Sequence, residues 1–217
     1  NTNNNNDNDS IIEISFLQNS KELSELEPMM KRDGHLPVTF MYGGYLVRLR
    51  PDLAEFLLKC EAIYDIILFT AADGSVYKGL LKQVHSLIKQ ELTTKYCDNS
   101  NITIPDKVWS VVFYRDDCDE KYDEYGLPFR HKNITKFGRD LSQVIIVDDN
   151  PLSYRGFEPN AIRIAGFWGL NKPKDIELLS KLYPLLQMVS THKDVRYHLT
   201  GLQQPTNDDD IDIDFDT

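Results

Sequence analysis

The chain lacks the features that mark several large classes of protein. Its 217 residues include only three cysteines, and none forms a C-x-x-C pair or stands at zinc-ligand spacing from a histidine. No apolar run approaches the roughly 20 residues that a membrane-spanning helix needs, and no secretory leader is visible. The sequence therefore predicts reduced thiols, with Cys60 in the core, no zinc site and no membrane span.

Positive charge is also in short supply. Lysine and arginine number 24 against 34 aspartates and glutamates, which gives a formal net charge of −10. A surface of this sign repels a nucleic-acid backbone and favours partners rich in Lys and Arg. We therefore expect protein partners, either other subunits or basic peptides, and no nucleic acid.

Composition divides the chain into one domain with two polar ends. Hydrophobic residues make up 41 % and charged residues 27 %, an ordinary balance for a single domain with its own core. Residues 1–10 are rich in Asn and Asp, so they are predicted to be disordered. Residues 11–202 form the predicted folded domain, and residues 203–217 form an acidic tail.

Apolar patterning predicts strands that alternate with helices. Ile11–Leu17 is a predicted short strand, and Val38–Val47 is a predicted hairpin that turns at Gly43-Gly44. Runs typical of strands buried on both faces lie at Tyr64–Thr70, Val108–Tyr114, Val144–Val147 and Ile162–Phe167. Helical spacing follows Pro51-Asp52 and covers Val76–Gln90 and Lys174–Val189. The alternation predicts a Rossmann-like α/β fold, with a largely parallel central sheet, helices on both faces and a small β-hairpin insertion.

Two predicted strands end in residues suited to phosphate or metal chemistry. Thr70 ends one, and Asp148 and Asp149, followed by Asn150-Pro151, end another. Sites in open parallel sheets form at the carboxyl ends of the strands, so a hydroxyl and two carboxylates could face one crevice. Paired carboxylates suit Mg²⁺, which prefers oxygen ligands. The alternative is a plain turn, since Asp, Asn and Pro are all turn residues.

Four segments resemble, in the same order, the small C-terminal-domain phosphatases of the haloacid-dehalogenase superfamily. They are Tyr45–Pro51 with Ile66–Ala72 ("RPG…hLFTAS"), Tyr114–Cys118 ("FRESC"), Lys132–Leu141 ("KDLSRLGRDL") and Ile146–Tyr154 ("ILDNSPxSY"). The resemblance covers roughly Tyr45 to Leu199 and implies the haloacid-dehalogenase fold. In that fold Tyr64–Thr70 and Val144–Val147 would be neighbouring central strands, with Ile11–Leu17 beside them.

The resemblance implies roles for four residues. Thr70 would hydrogen-bond a phosphate oxygen, and Lys132 would neutralise phosphate charge. Asp148 would hold Mg²⁺, directly or through water, with Asp149 beside it as the remnant of a metal site. Taken alone, Lys132 could equally be a solvated surface lysine, and Thr70 a β-branched strand residue.

The family's nucleophile motif, DxDxT, is degenerate in this chain. Its first Asp attacks phosphorus and its second protonates the leaving group, but residues 11–20 contain no Asp and place Glu13 and Ser15 there instead. The extra methylene of Glu13 displaces the carboxylate by about 1 Å, which can cost roughly 10²-fold in rate. Ser15 cannot protonate a leaving group near neutral pH. We therefore expect no catalytic residue, no turnover and no required cofactor, although Mg²⁺ could still bind.

One branch of the superfamily is known for a degraded first motif: the receptor subunit of the mitochondrial inner-membrane presequence translocase. Phe16–Ser20 resembles the "FLVHS" of its fungal members, and Lys193–Arg196 resembles their "KDVR". This implies a non-catalytic, protein-binding subunit of a mitochondrial assembly, with a basic presequence as ligand. The alternative is an active Mg²⁺-dependent protein serine/threonine phosphatase, nuclear or cytoplasmic, whose nucleophile is Glu13 or an upstream residue. Asp148–Pro151, which stays close to the active enzymes, favours that alternative.

Overall fold

The computed structural model describes residues 12–15, 38–98, 102–167 and 178–202, with the backbone alone for residues 12–15, 201 and 202. Along the chain these residues form β1 (Ile12–Ser15), β2 (Thr39–Tyr42), β3 (Tyr45–Leu49), α1 (Leu53–Glu61), β4 (Ile67–Phe69), α2 (Gly74–Lys95), β5 (Val111–Phe113), β6 (Asp119–Tyr122), β7 (Pro128–His131), β8 (Ile146–Asp148), β9 (Ala161–Arg163), α3 (Tyr183–Val189) and α4 (Val195–Leu202). The predicted disordered start, the acidic tail and the beginning of the predicted helix Lys174–Val189 lie outside the described residues.

Strand pairing combines parallel and antiparallel hydrogen bonding. β4 pairs with β5 in parallel, with Ile67 opposite Val111, and β8 pairs with β9 in parallel, with Ile146 opposite Ala161. β6 and β7 form an antiparallel hairpin, and β1, β3 and β2 form an antiparallel sheet in that order. The parallel pairs, together with the helices that share one apolar core, confirm the predicted α/β class.

The predicted place of the first strand is wrong. We expected Ile11–Leu17 beside Tyr64–Thr70 and Val144–Val147, but β1 pairs antiparallel with β3, so that Glu13 lies opposite Arg48. In the described part of the chain, the strand hydrogen bonds of β4 and β8 go to β5 and β9 rather than to each other. The physical reason is the alternation of apolar and polar residues in β1, which suits an antiparallel edge position; a strand within a parallel sheet needs a continuous apolar run.

The first hairpin forms as predicted. β2 and β3 are joined by Gly43 and Gly44, whose φ angles are +56° and +86°. Both angles fall in the left-handed region that glycine adopts without steric cost and that a tight hairpin turn requires. Tyr42 and Tyr45 face each other across the turn, and β3 continues to Leu49, two residues beyond the predicted end at Val47.

One apolar core joins the helices to β3. It contains Val47, Leu49, Leu53, Leu57, Cys60, Leu80, Val84, Ile88, Leu92, Leu185, Val189, Val195 and Leu199. Cys60 is buried, as predicted, and burial raises the pKa of its thiol to about 12, so it remains a protonated packing residue. All three cysteines are free. None of the described helices is long and apolar enough to cross a membrane.

A second, smaller core lies beneath β8. Ile134, Val144, Ile146, Tyr154 and Ala161 form it, and Phe137, Leu141 and Phe157 pack against it. Val144 and Ile146 lead directly to Asp148. This core therefore fixes the strand end on which the predicted metal-binding carboxylate stands.

Candidate phosphate site and its buried ion pair

Asp148 lies at the carboxyl end of β8, where the resemblance predicted it. Its carboxylate is only 4 % exposed, and Oδ1 accepts a hydrogen bond of 2.8 Å from the backbone N–H of Asn150. The Asn150 side chain in turn accepts from the N–H of Leu152, at the start of a short 3₁₀ turn. The segment is therefore a turn, as the alternative had it, and the turn also orients the Asp148 carboxylate.

Lys132 is the partner of Asp148. Its backbone N–H donates to the carbonyl of Ser153 at 2.6 Å. This hydrogen bond holds the Lys132 backbone against the turn after β8. Its Nζ lies 2.7 Å from Asp148 Oδ2, and the two side chains are each 5 % exposed. Lys132 is thus one half of a buried, charge-assisted hydrogen bond, and the alternative of a solvated surface lysine is wrong.

Thr70 follows β4, and its side chain shapes the loop after that strand. The residue is 7 % exposed, its N–H donates to Phe113 O at 3.0 Å, and its Oγ1 accepts from the N–H of Ala72 at 2.9 Å. A hydroxyl that accepts through its oxygen still has its own hydrogen to donate. Thr70 can therefore offer one hydrogen bond to an anion without giving up the contact that holds the loop.

The segment after β5 ties the Thr70 loop to its surroundings. Arg115 donates from Nε to Ala71 O at 2.7 Å and from its backbone N–H to Ala72 O at 3.0 Å. Cys118 Sγ lies 3.8 Å from Thr70 O. Arg115 and Cys118 belong to the segment that resembles "FRESC". This segment therefore stabilises the loop after β4.

Lys132 is flanked by a buried histidine. His131 is 2 % exposed, stacks on Phe157 at 5.6 Å between ring centroids, and places Nε2 2.8 Å from Arg155 O. Burial lowers the pKa of its imidazole, so the ring stays neutral where a free histidine would begin to charge. His131 therefore adds no positive charge next to the Lys132 ammonium at neutral pH.

The described residues do not fit a resident Mg²⁺ ion. Both oxygens of Asp148 already accept a hydrogen bond, one from Asn150 N–H and one from Lys132 Nζ, so a cation bound at Oδ2 would lie beside the ammonium and be repelled by it. Asp149 is half-buried beside it. Among the residues that the structure describes, no three His, Cys, Asp or Glu side chains form a group that could hold a metal. The side chains of Glu13 and Ser15 lie outside this set.

Of the predicted site residues, the structure brings Lys132 and Asp148 into direct contact. Thr70 and Asp149 each directly follow an observed strand, β4 and β8 respectively. The backbone of Glu13 and Ser15 belongs to β1, which pairs with β3. Ser153 was not among the predicted site residues, although it is buried and its carbonyl positions Lys132. Its only signal was its place within the segment that resembles "ILDNSPxSY".

Comparison with known proteins shows the family of the chain. The family model described as "NLI interacting factor-like phosphatase" matches residues 17–196. The chain is similar to "CTD small phosphatase-like protein 2" of Dictyostelium discoideum, with 31 % identity over 80 % of this chain and 26 % of that protein. It is also similar to the human "Carboxy-terminal domain RNA polymerase II polypeptide A small phosphatase 1", with 26 % identity over 92 % and 66 %.

Among solved structures, the chain is similar to the fission yeast RNA polymerase II CTD phosphatase bound to beryllium fluoride. The identity is 16 %, the TM-score is 0.42, and the match covers 94 % of this chain and 57 % of that one. The chain spans between about a quarter and a half of the length of the first curated relatives that it matches. Because the family model covers most of the chain, the expected haloacid-dehalogenase-type α/β fold is confirmed, and the chain belongs to the NLI interacting factor-like phosphatase family.

Proposed function

We propose that this domain is a non-catalytic, protein-binding member of the phosphatase family. The observation that carries the proposal is the buried pair between Lys132 and Asp148. A divalent cation at Asp148 Oδ2 would face the Lys132 ammonium at short range in a site shielded from water, where like charges repel strongly. The carboxylate to which the resemblance assigns the metal therefore already has a counter-charge within the domain.

The first strand supports the same conclusion. Phosphoryl transfer through a covalent intermediate needs a carboxylate nucleophile held in line with the phosphorus atom. Residues 11–20 contain no Asp, and the strand register pairs Glu13, the one acidic residue of β1, with Arg48 of β3. A nucleophile is therefore missing where the family's chemistry requires one.

Protein is the class of partner that the remaining features favour. The human relative is named for the carboxy-terminal domain of an RNA polymerase polypeptide, which is a protein segment. A fold that receives a protein segment can keep its binding surface after the chemistry is lost. The net charge of −10 favours a partner rich in Lys and Arg and disfavours nucleic acid.

We further propose, as the finer version, a receptor-like subunit of the mitochondrial presequence translocase. The support is the likeness of Phe16–Ser20 and Lys193–Arg196 to that branch, and the acidic charge that suits a basic presequence. Fractionation of cells that make the full-length protein tests it. Recovery with mitochondria would support it, and recovery in the nucleus or the cytosol would contradict it and leave the broader proposal standing.

The second candidate function is an active Mg²⁺-dependent protein phosphatase. The run Asp148-Asp149-Asn150-Pro151 and the retained Thr70 favour it, because they match the pattern of the active family members. It requires Lys132 to release Asp148 when a metal binds, and a carboxylate outside the described residues to act as nucleophile.

Hydrolysis of an aryl phosphate separates the two candidates. The full chain is assayed with and without Mg²⁺, beside Asp148→Asn and a matched control, Asp106→Asn, whose side chain is fully exposed. We expect no release of phosphate by any of the three proteins. Mg²⁺-dependent release that is lost in Asp148→Asn and kept in Asp106→Asn would establish the enzyme and sink the non-catalytic proposal.

A further inference from the structure

The hairpin of β6 and β7 carries an unusually apolar and exposed tip. Tyr122, Tyr125 and Leu127 are 61 %, 80 % and 62 % exposed, although large apolar side chains are normally covered in a soluble domain. The inner face of the same hairpin is covered, since His131 is buried and Arg155 lies over the ring of Phe129. The exposure is therefore confined to the tip and the outer face.

This tip is a built turn rather than a loose loop. The N–H of Asp123 donates to Leu127 O at 3.0 Å, and the N–H of Gly126 donates to Asp123 O at 3.1 Å. Asp123 Oδ1 accepts from the N–H groups of Tyr125 and Leu127 at 2.9 and 2.8 Å. Gly126 has a φ of +75° and open space around it. The aromatic side chains thus stand on a preorganised support, which lowers the entropic cost of binding.

The charges around the tip are mostly negative. Strand alternation sets Glu120, Tyr122 and Arg130 on the outer face, where Glu120 accepts from the Tyr122 hydroxyl and pairs with Arg130 at 2.9 Å. Glu124 is exposed at the turn. Exposed tyrosine rings beside carboxylates attract Lys and Arg side chains, which stack on the rings and pair with the acids.

We infer that this hairpin tip is a docking surface for an extended, Lys/Arg-rich segment of a partner protein. The tip surface is defined by Tyr122, Glu124, Tyr125 and Leu127. This inference rests on the proposed function, which is that the domain binds protein. It adds where the protein binds and which side chains contact it. Basic side chains would lie over the tyrosine rings, and the aliphatic parts of the segment would cover Leu127.

Binding of a defined peptide to the full chain tests the inference. The probe is a labelled twelve-residue peptide that alternates Arg with Leu, and the charge-reversed control alternates Glu with Leu. We expect the basic probe to bind and to shift the backbone NMR signals of residues 122–128. The double variant Tyr122→Ser/Tyr125→Ser should lower the affinity for the basic peptide at least about fivefold. Adding Glu124→Gln to that double variant should lower the affinity further.

Tyr197→Ser is the matched control, because Tyr197 is 85 % exposed on α4 and lies outside the hairpin. Three results would each overturn the inference. They are equal affinity of the hairpin variants and the parent chain for the basic peptide, equal binding of the acidic peptide, and signal shifts confined to other segments. Self-association through the tip would overturn it too, since a second copy would then be the occupant. Phosphate release by the chain would overturn the non-catalytic function and leave this binding result intact.

Discussion

At the scale of single residues, the pair between Lys132 and Asp148 decides how the candidate site behaves. Both side chains are 5 % exposed and the pair is 2.7 Å long. A buried ion pair contributes modestly to stability as a pair, but removal of one member leaves an uncompensated charge in the interior. The pair should therefore respond asymmetrically to single and double substitution.

We expect Lys132→Met to lower the free energy of unfolding by about 3–5 kcal/mol, because Asp148 is left charged and buried. The double variant Lys132→Met/Asp148→Asn should be more stable than that single variant, since the amide is neutral and its oxygen still accepts from Asn150 N–H. Urea unfolding measures both. A double variant less stable than Lys132→Met would show that the Asp148 charge has another partner.

His131 gives a second prediction at this scale. Burial holds the pKa of its imidazole below the ordinary value of 6.5, so the unfolded chain binds a proton more readily than the folded one. The stability that the neutral ring contributes is fully present above pH 6.5 and is lost progressively as the pH falls below it. His85, whose pKa burial also lowers, acts in the same direction.

Thermal unfolding of the parent chain and of His131→Gln between pH 7 and pH 5 tests this. Gln can keep a hydrogen bond to Arg155 O and cannot become charged. We expect the difference in Tm between the two proteins to shrink or reverse as the pH falls, because only the parent suffers from protonation at this position. A constant difference across the range would mean that His131 does not contribute to the pH dependence.

At the scale of elements, the first hairpin packs against a helix through a glycine. The Tyr42 hydroxyl lies where the Cβ of any other residue at position 79 would stand, and Tyr42 Cζ follows at 3.3 Å. Gly79 belongs to α2, where glycine is about 1 kcal/mol less favourable than alanine. The close approach of β2 to α2 therefore outweighs the helix propensity of the residue.

We predict that Gly79→Ala destabilises the protein by about 1–3 kcal/mol in spite of that propensity, because the added methyl group pushes Tyr42 away from α2. In a Tyr42→Phe background, which lacks the interfering oxygen, the same substitution should cost less or even stabilise. The midpoint of urea unfolding in the four proteins gives the comparison. A stabilising Gly79→Ala in the parent chain would refute the packing argument.

Elements with local signals could be predicted from the sequence. Gly43-Gly44 marked the first hairpin, and the apolar spacing after Asp52 marked α1. The β6–β7 hairpin was missed because its strands are rich in charged residues, and α4 was missed because it has only eight residues. The pairing of β1 was mispredicted, because its place was inferred from the family resemblance and not from the alternation of apolar and polar residues in Ile12–Ser15.

The candidate site was predictable as a set of positions but not as a set of contacts. The resemblance identified Thr70, Lys132 and Asp148, yet nothing in the sequence states that the lysine closes on the aspartate. That contact depends on burial and on the Ser153 carbonyl that aligns Lys132, and both arise only when distant segments pack together.

At the scale of the whole molecule, the excess of negative charge should govern association. Asp208, Asp209, Asp210, Asp212, Asp214 and Asp216 surround Ile211, Ile213 and Phe215 in the tail, which lies outside the described residues. As an extended strand, the alternating part of the tail would set its apolar residues on one face and its acids on the other. Repulsion among the acids opposes order in the free tail, and a cationic surface would relieve it.

We expect deletion of residues 208–217 to lower the affinity of the chain for the basic Arg/Leu peptide at low salt. The loss should disappear as salt rises, because exposed charges are screened over about 10 Å at 0.1 M ionic strength. Fluorescence titration across a salt series measures it. Unchanged affinity after the deletion at every salt concentration would leave the tail as a solvated, disordered end with no part in binding.

The proposed function requires that this member of the phosphatase family has lost phosphoryl transfer. The most direct measurement is the intact mass of the full chain, quenched in acid after incubation with a serine phosphopeptide and Mg²⁺. This detects a covalent phosphoryl group on any carboxylate, whether Glu13 or a residue elsewhere in the chain. We predict an unmodified mass and an intact phosphopeptide; a mass raised by one phosphoryl group, together with dephosphorylated peptide, would contradict the account.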